Sequence, residues 1–483
     1  MTVERLSIEP IRTERRFEFL GDDQLEQMQT ATLEILEEVG VKFPSEKALA
    51  IFADHGADID YDSQIVRLPA DLVQEALSHV PRTFHVGARD PHCEFDLEEG
   101  VTYFTNDGCG VETVDFETGE RRSSRKEDVA RVAHVSDYLS SIGFFWPMVS
   151  AQDYGKTAPL HELDAGWNNT VKHVQSETLM GGASARYAVE MGSVIAGGRD
   201  ELRRRPTFSV VICTIAPLVQ DKHGIESAMV LAEASVPVGF LAMPTLGTTA
   251  PATVAGALAV GDAEVISAAV LMQLVNPGAP VFHSIMQGWA DPRSGNYVPY
   301  PVDARCRYAP VEMAHHWGMP AFGGAFGTES EEPGTWQAAA DVALDPLLVA
   351  LAGAEWVTGI GLNDSFTLLH PEAIVMDDEL YHRARYALMG METDDDALAM
   401  DVIRKVGPGG HFLAEKHTRK HMRTAMEPGL THQLGEGGEY RDPREVAREK
   451  VRWILENYEP EPLEKAKQDE LKRILDAADR ELG

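Results

Sequence analysis

QLVNPGAPVFHSIMQGW (residues 273–289) joins the end of one structural unit to the start of the next. Gln273 to Val275 closes an apolar helical run, Pro277 and Gly278 break it, and 280–285 reads as a buried strand. His283, Ser284, Gln287 and Trp289 stand at the C-terminal end of that strand and just beyond it. In α/β enzymes that end of a strand is where polar groups converge for chemistry.

The unit repeats on both sides. Further apolar runs fall at 101–105, 142–149, 170–175, 208–213, 236–243, 319–324 and 356–360. Helical periodicity lies between them at 126–139, 184–196, 224–234, 263–274, 304–317 and 336–352. Eight strands separated by helices predict a parallel sheet of the α/β class, closed as a (β/α)8 TIM barrel. An open sheet that binds a nucleotide needs a Gly-rich phosphate turn after an early strand, and none occurs there. Ahead of the repeats, 22–40, 45–55 and 69–79 read as amphipathic helices, the first ending at Gly40. From about Asp394 the chain is again helical and polar. The expected division is an N-terminal helical extension over 1–95, a barrel core over 96–390 and a C-terminal helical extension over 391–483.

With 483 residues, 44% apolar and 25% charged, the composition is that of a globular protein with a large core. A formal charge of −34 repels phosphates and anionic lipids, so neither nucleic acid nor membrane is an expected partner. The first residues are charged and lack a signal peptide's apolar stretch, which predicts a cytoplasmic protein. Cys93, Cys109, Cys213 and Cys306 are scattered without a CxxC pair, which predicts reduced, buried thiols and no sulfur-rich metal site.

Four strand-to-loop junctions carry polar and aromatic groups. GWNNTVKHVQSE (166–177) offers Trp167, Asn168, Asn169, Lys172 and His173, and FLAMPTLGTTAP (240–251) offers Thr245, Thr248 and Thr249. FHSIMQGWADPRSGNY (282–297) offers His283, Gln287, Trp289 and Tyr297. FGGAFGTESEEPGTWQ (322–337) offers Phe326, Glu329, Glu331, Glu332 and Trp336. Singly, each has an ordinary reading: a satisfied core histidine, a packed loop Trp, a solvated acidic run. Their recurrence at the same end of successive strands points to a site. His417 and His421 have i,i+4 spacing but no HExxH setting, and they read as an exposed basic patch.

GTTAPATVAGALAVGDAEVISAAVLMQLVNPGAPVF (247–282) resembles the trimethylamine methyltransferase superfamily of corrinoid-dependent enzymes, whose members include glycine betaine methyltransferases. ATLEILEEVGV (31–41), VDFETGERR (114–122), NNTVKH (168–173), VMDDEL (375–380) and GPGGHFLAEKHTRKHMR (407–423) extend the resemblance over nearly the whole chain. It implies a barrel holding a methylated amine at its mouth, with the methyl group passing to Co(I) of a separate corrinoid protein. No DxHxxG motif occurs, so the cobalamin is expected on that partner, with none bound tightly by this chain. The trimethylamine branch carries pyrrolysine within the stretch matching 327–337. Here ordinary residues stand throughout, the nearest counterpart lying at 331–333, which implies a quaternary amine such as glycine betaine as donor. Many relatives also carry a His-Asp pair where this chain has Thr358 and Gly359.

A quaternary cation donates no N–H hydrogen bond and is held by aromatic faces and a counter-charge. Trp167, Trp289, Phe326 and Trp336 are the expected aromatic contacts, and Glu329 the expected counter-ion. His173, Lys172, Asn168 or His283 would receive a substrate carboxylate. Glu329 and His283 are thus the expected catalytic residues, with no metal, and a homo-oligomer is expected. Two other readings fit the same barrel: a metal-dependent lyase or hydrolase using His283, His173 and Glu329, or a non-catalytic quaternary-amine-binding protein.

Overall fold

The apolar runs become short parallel strands because both of their faces are covered, one by helices and the other by one another. The structure, a computed structural model, describes residues 3–13, 16–177, 179, 181–298, 303–324, 327–422 and 429–483. The strands are β1 (Val101–Asn106), β2 (Ile142–Phe144), β3 (Val174–Ser176), β4 (Phe208–Cys213), β5 (Val238–Ala242), β6 (Val281–Ile285), β7 (Phe322–Gly324) and β8 (Trp356–Ile360). β3, β4, β5 and β6 pair in that order, all parallel, with Val210 opposite Val238 and Val238 opposite Val281. β7, β8, β1 and β2 form a second parallel set. Isolated parallel bridges, Phe145 to Val174 and His283 to Ala321, link the two sets.

Strand parity divides the core. Phe104, Phe145, Val174, Val210, Ile212, Val238, Phe240, Val281, Ile285 and Val357 point to the helices and belong to one large apolar cluster. Their alternates Tyr103, Phe144, Trp146, Val211, Leu241, Phe282, Phe322 and Trp356 belong to a second cluster on the opposite face. Each large side chain buried there contributes about 1.5–3 kcal/mol.

The helix expected at 263–274 is longer, Val254–Val275, capped by the Thr253 hydroxyl on Gly256 N–H. Gly256 and Gly261 dilute its apolar signal for a packing reason: a Cβ on Gly261 would press to 3.1 Å on both Ile285 and Pro244. It is long and apolar enough to cross a bilayer, yet 78% of its apolar window is buried inside the fold, as for a central core helix. The expected helix over 336–352 is two, Trp336–Val342 and Asp345–Ala352.

The N-terminal extension departs from the all-helical expectation. It holds helices Asp22–Glu34, Glu46–Asp54 and Ala70–Leu77, but also a three-stranded antiparallel sheet of Val41–Lys42, Ile65–Arg67 and Asp58–Asp60. Ile11–Arg12 pairs antiparallel with β1. Strands of two or three residues are too short to register as a periodicity. At the other end, Pro443–Asn457 packs on helices Lys126–Tyr138 and Pro371–Leu388, and Lys465–Leu482 packs on Gly182–Ala196.

Candidate active site

Continuing the inward parity past the strand ends brings Asp107, Trp146, Glu177, Cys213, Met286, Gly324 and Thr358 to one level at the C-terminal side of the sheet. The level rests on an aromatic floor. Phe322 lies 5.8 Å from Trp146 between ring centroids, and Trp356 lies 4.6 Å from Phe144 and 4.8 Å from Phe282. Gly108 must be glycine, because a Cβ there would sit 2.5 Å from the Trp146 indole. Thr358 Oγ1 donates to the Asn106 carbonyl at 2.8 Å and lies 3.5 Å from Asp107 Oδ1. Cys213 Sγ donates to Glu177 Oε1 at 3.6 Å.

Burial pushes the Asp107 carboxyl well above the usual carboxylate range, with Glu177 and Asp377 adding to the effect. Burial likewise pushes Glu177 up to about 7, opposed by Cys213 and the Trp146 indole and reinforced by Glu162. The Cys109 thiol is raised by burial and by Glu162, Glu177, Cys213 and Asp107. Asp107 Oδ2 is buried without a hydrogen-bond partner, and Glu177 Oε2 and Trp146 Nε1 have none besides each other. Buried polar atoms are ordinarily satisfied, so groups this sparsely bonded at one level mark it as a candidate binding place. Two buried carboxyls, neither ion-paired with a cation among the described residues, suit a positively charged ligand.

The residues expected from the sequence fall elsewhere, for reasons of parity and strand direction. Trp167 and Asn168 occupy the last turn of helix Ala158–Asn169, which enters β3 at its N-terminal end. Trp167 is fully buried against Phe208, ring centroids 5.9 Å apart, and Asn168 Nδ2 donates to Asp164 at 2.8 and 2.9 Å. His173 is inward but at the opposite end, its ring nitrogens 2.8 Å from the Gly87 carbonyl and 2.9 Å from Ser209 Oγ. Burial lowers its pKa to about 4. Lys172 Nζ donates to the carbonyls of Ser136, Leu139 and Ile142 at 2.6–2.8 Å, tying helix Lys126–Tyr138 to β2.

His283 points outward, the reverse of the expectation. Its Nε2 lies 2.8 Å from Asp262 Oδ1 on helix Val254–Val275, and both side chains are fully buried. Asp262 Oδ2 also accepts Thr32 Oγ1 at 2.6 Å and Trp317 Nε1 at 2.9 Å. The quartet joins helix Asp22–Glu34, helix Val254–Val275, the end of helix Arg305–His316 and β6.

Glu329 lies on the loop after β7, half-buried, with Oε1 unpartnered; burial, Asp341 and Asp291 raise its pKa. Trp289 is 42% exposed, in a strand Gly288–Ala290 paired with Thr245–Leu246 and Tyr297–Val298. Trp336 is 88% exposed at the start of its helix. Phe326 lies outside the described residues. Trp289 and Trp336 are exposed while Trp167 is fully buried, so among the described residues the expected cage members are not brought together. At 331–333, Glu332 pairs with Arg444 and the Glu331 carbonyl accepts His370 Nε2 at 2.8 Å.

Asp107 and Trp146 escaped notice because they sit outside the polar loops that drew attention, and Glu177, which ends the stretch 166–177, was passed over for the residues before it. The signal was present: counting every second residue onward from Tyr103, Phe144 and Gln175 reaches all three. On the C-terminal segment, Asp396, His417 and His421 bring ligand atoms within 4.8 Å of one another, but Lys420 and His421 already engage that carboxylate at 2.6 and 3.1 Å.

The family description of trimethylamine methyltransferases (MTTB) matches residues 2–483. The chain is 33% identical over 471 residues to the trimethylamine methyltransferase MttB of Desulfitobacterium hafniense (strain DSM 10664 / DCB-2), covering 96% of this chain and 94% of that one. It is 28% identical over 490 residues to the glycine betaine methyltransferase of Desulfitobacterium hafniense (strain Y51), covering 97% and 98%. The crystal structure of the Methanosarcina barkeri monomethylamine methyltransferase is similar over 90% of this chain and 92% of that chain, with TM-score 0.48 and 12% identity. A match of this length makes the chain a member of the trimethylamine methyltransferase family.

Proposed function

We propose that the chain moves a methyl group from a quaternary amine to Co(I) of a corrinoid carried on a separate protein. The observation that carries this reading is the buried level of Asp107, Glu177 and Trp146, two carboxyls with few partners beside an indole, in a member of a methyl-transferring family. The barrel is read as closed: two parallel sets of four strands, linked by the Phe145–Val174 and His283–Ala321 bridges, support a (β/α)8 ring whose mouth is that level.

The residues of this chain bind and orient. The carboxyls supply the counter-charge a quaternary nitrogen needs in a dry site, and the Trp146 face adds about 0.5–2 kcal/mol. Phe322 beneath it keeps water from the nitrogen side. The acceptor supplies an electron pair to the methyl carbon, and the C–N pair stays on nitrogen. The amine therefore departs neutral, so positioning in line is the main demand and no general acid is required. This accords with the absence of any imidazole among the described residues of that level.

The test mixes the purified protein, a reduced corrinoid acceptor and a panel of quaternary amines, and follows loss of the Co(I) absorbance. Amine-dependent loss with Asp107→Asn and Glu177→Gln both impaired is expected; no loss with any amine defeats the proposal. Metal-dependent hydrolysis or elimination, the rival reading, has neither His283 nor His173 at this level.

A further inference from the structure

The charges around the mouth narrow the donor further, on the footing of the methyl-transfer reading. We infer that the site takes a methylated ammonium bearing no carboxylate beside its nitrogen, of the tetramethylammonium or choline type, in preference to a zwitterionic betaine.

Two observations carry this. First, the residues directly beyond the ends of the eight strands, 107–111, 145–149, 177–181, 214–217, 243–249, 286–291, 325–330 and 361–364, contain no Lys, Arg or His, while they hold Asp107, Glu177 and Glu329; Asp291 and Asp364 at their outer limits pair with Arg293 and Arg121. Second, the side chains suited to receive a carboxylate are committed elsewhere. Lys172 donates to three carbonyls, His173 lies between Gly87 and Ser209, Asn168 bonds Asp164, and His283 faces Asp262 behind the strand.

The electrostatic consequence is direct. Glycine betaine carries its carboxylate one methylene from nitrogen, so seating the trimethylammonium head against Asp107 and Glu177 brings the carboxylate into the same buried level. Asp107 Oδ2 already lacks a partner there, and Glu177 Oε2 has none besides the Trp146 indole. A betaine carboxylate would be a third acid sharing the one ammonium, an imbalance that buried charge tolerates poorly. A bare cation instead brings counter-charge to both carboxyls and adds no further acid. The hydroxyl of choline adds a donor in place of an acceptor, which an acid-lined level accommodates.

The experiment is isothermal titration of the purified chain at pH 8 with four probes: tetramethylammonium, choline, glycine betaine and the uncharged choline isostere 3,3-dimethylbutan-1-ol. Choline and tetramethylammonium are expected to bind at least about tenfold more tightly than glycine betaine or the isostere, a difference of about 1.4 kcal/mol. Glu177→Gln and Asp107→Asn are each expected to weaken choline about tenfold and leave glycine betaine no weaker, with native circular dichroism confirming the fold of whichever variant is used. Glycine betaine binding as tightly as choline overturns the inference. That outcome leaves methyl transfer standing, since it falls only if the Co(I) assay shows no response to any amine. Binding of the uncharged isostere as tightly as choline also overturns it, because shape rather than charge would then select the donor.

Discussion

Replacing His283 by alanine separates a packing role from a catalytic one. Its imidazole Nε2–H donates to the Asp262 carboxylate at 2.8 Å, both side chains are fully buried, and Asp262 retains Thr32 at 2.6 Å and Trp317 at 2.9 Å after the change. Loss of one hydrogen bond to a charged group costs about 1.5–3 kcal/mol. Removing one partner of a buried pair, with the void left behind, brings the total to about 3–5 kcal/mol. The ring lies on the helix-facing side of β6 while Phe282 faces the opposite side of the sheet, so turnover per folded molecule is expected to stay within about twofold of the parent. A catalytic acid or base would cost about 10²–10⁴-fold. Urea unfolding followed by tryptophan fluorescence gives the first quantity, and methyl transfer at low temperature gives the second. A stability loss below about 1 kcal/mol together with a hundredfold fall in turnover refutes the assignment. Trp317→Phe should couple to it, with a double-mutant interaction of about 0.5–3 kcal/mol.

Glu177 titrates at about 7, above its unfolded value of about 4.3, because burial favours the neutral acid. The empty fold therefore loses stability between about pH 4.3 and 7, and the loss is complete above 7. A bound ammonium favours the anion, so choline affinity should climb with pH to a plateau above about 7, and Glu177→Gln should flatten that step in calorimetry. The groups that share the setting are Asp107 and Cys109 after β1, Trp146 after β2, Glu162 on helix Ala158–Asn169, and Cys213 on β4. Trp146→Ala should weaken choline by the cation–π contribution of about 0.5–2 kcal/mol, and unchanged affinity would remove the indole from the site. Trp336→Ala, at a residue 88% exposed, should leave amine affinity and thermal midpoint unchanged; a tenfold affinity loss would restore it as a cage member. Lys172→Met should strand three carbonyls and lower stability by about 3 kcal/mol by denaturant titration.

Legibility varied with how much of each element's signal was local. β4 and β8 appear at 208–213 and 356–360 as the apolar runs foretold, since buried parallel strands are apolar on both faces. Gly256 and Gly261 hid nine residues' worth of helix start, because the smallness of Gly261 serves contact with Ile285 and Pro244 and that of Gly256 contact with Pro251. At the site, the polar loop residues were conspicuous in sequence and mostly served packing or the surface. Asp107 and Glu177, each a single acid after an apolar strand, were not.

The sequence by itself determined the order of strands and helices and the two-faced burial of the strands, because periodicity and apolar content are properties of neighbouring residues. Tertiary structure alone decided which side chains share a space. Strand direction sent Trp167 and His173 to the far end, parity turned His283 to the helices, and the same parity gathered Asp107, Trp146 and Glu177 from three strands onto one level. Residues 31 to 70 positions apart meet there only once the strands have paired in register, and no local pattern records that meeting.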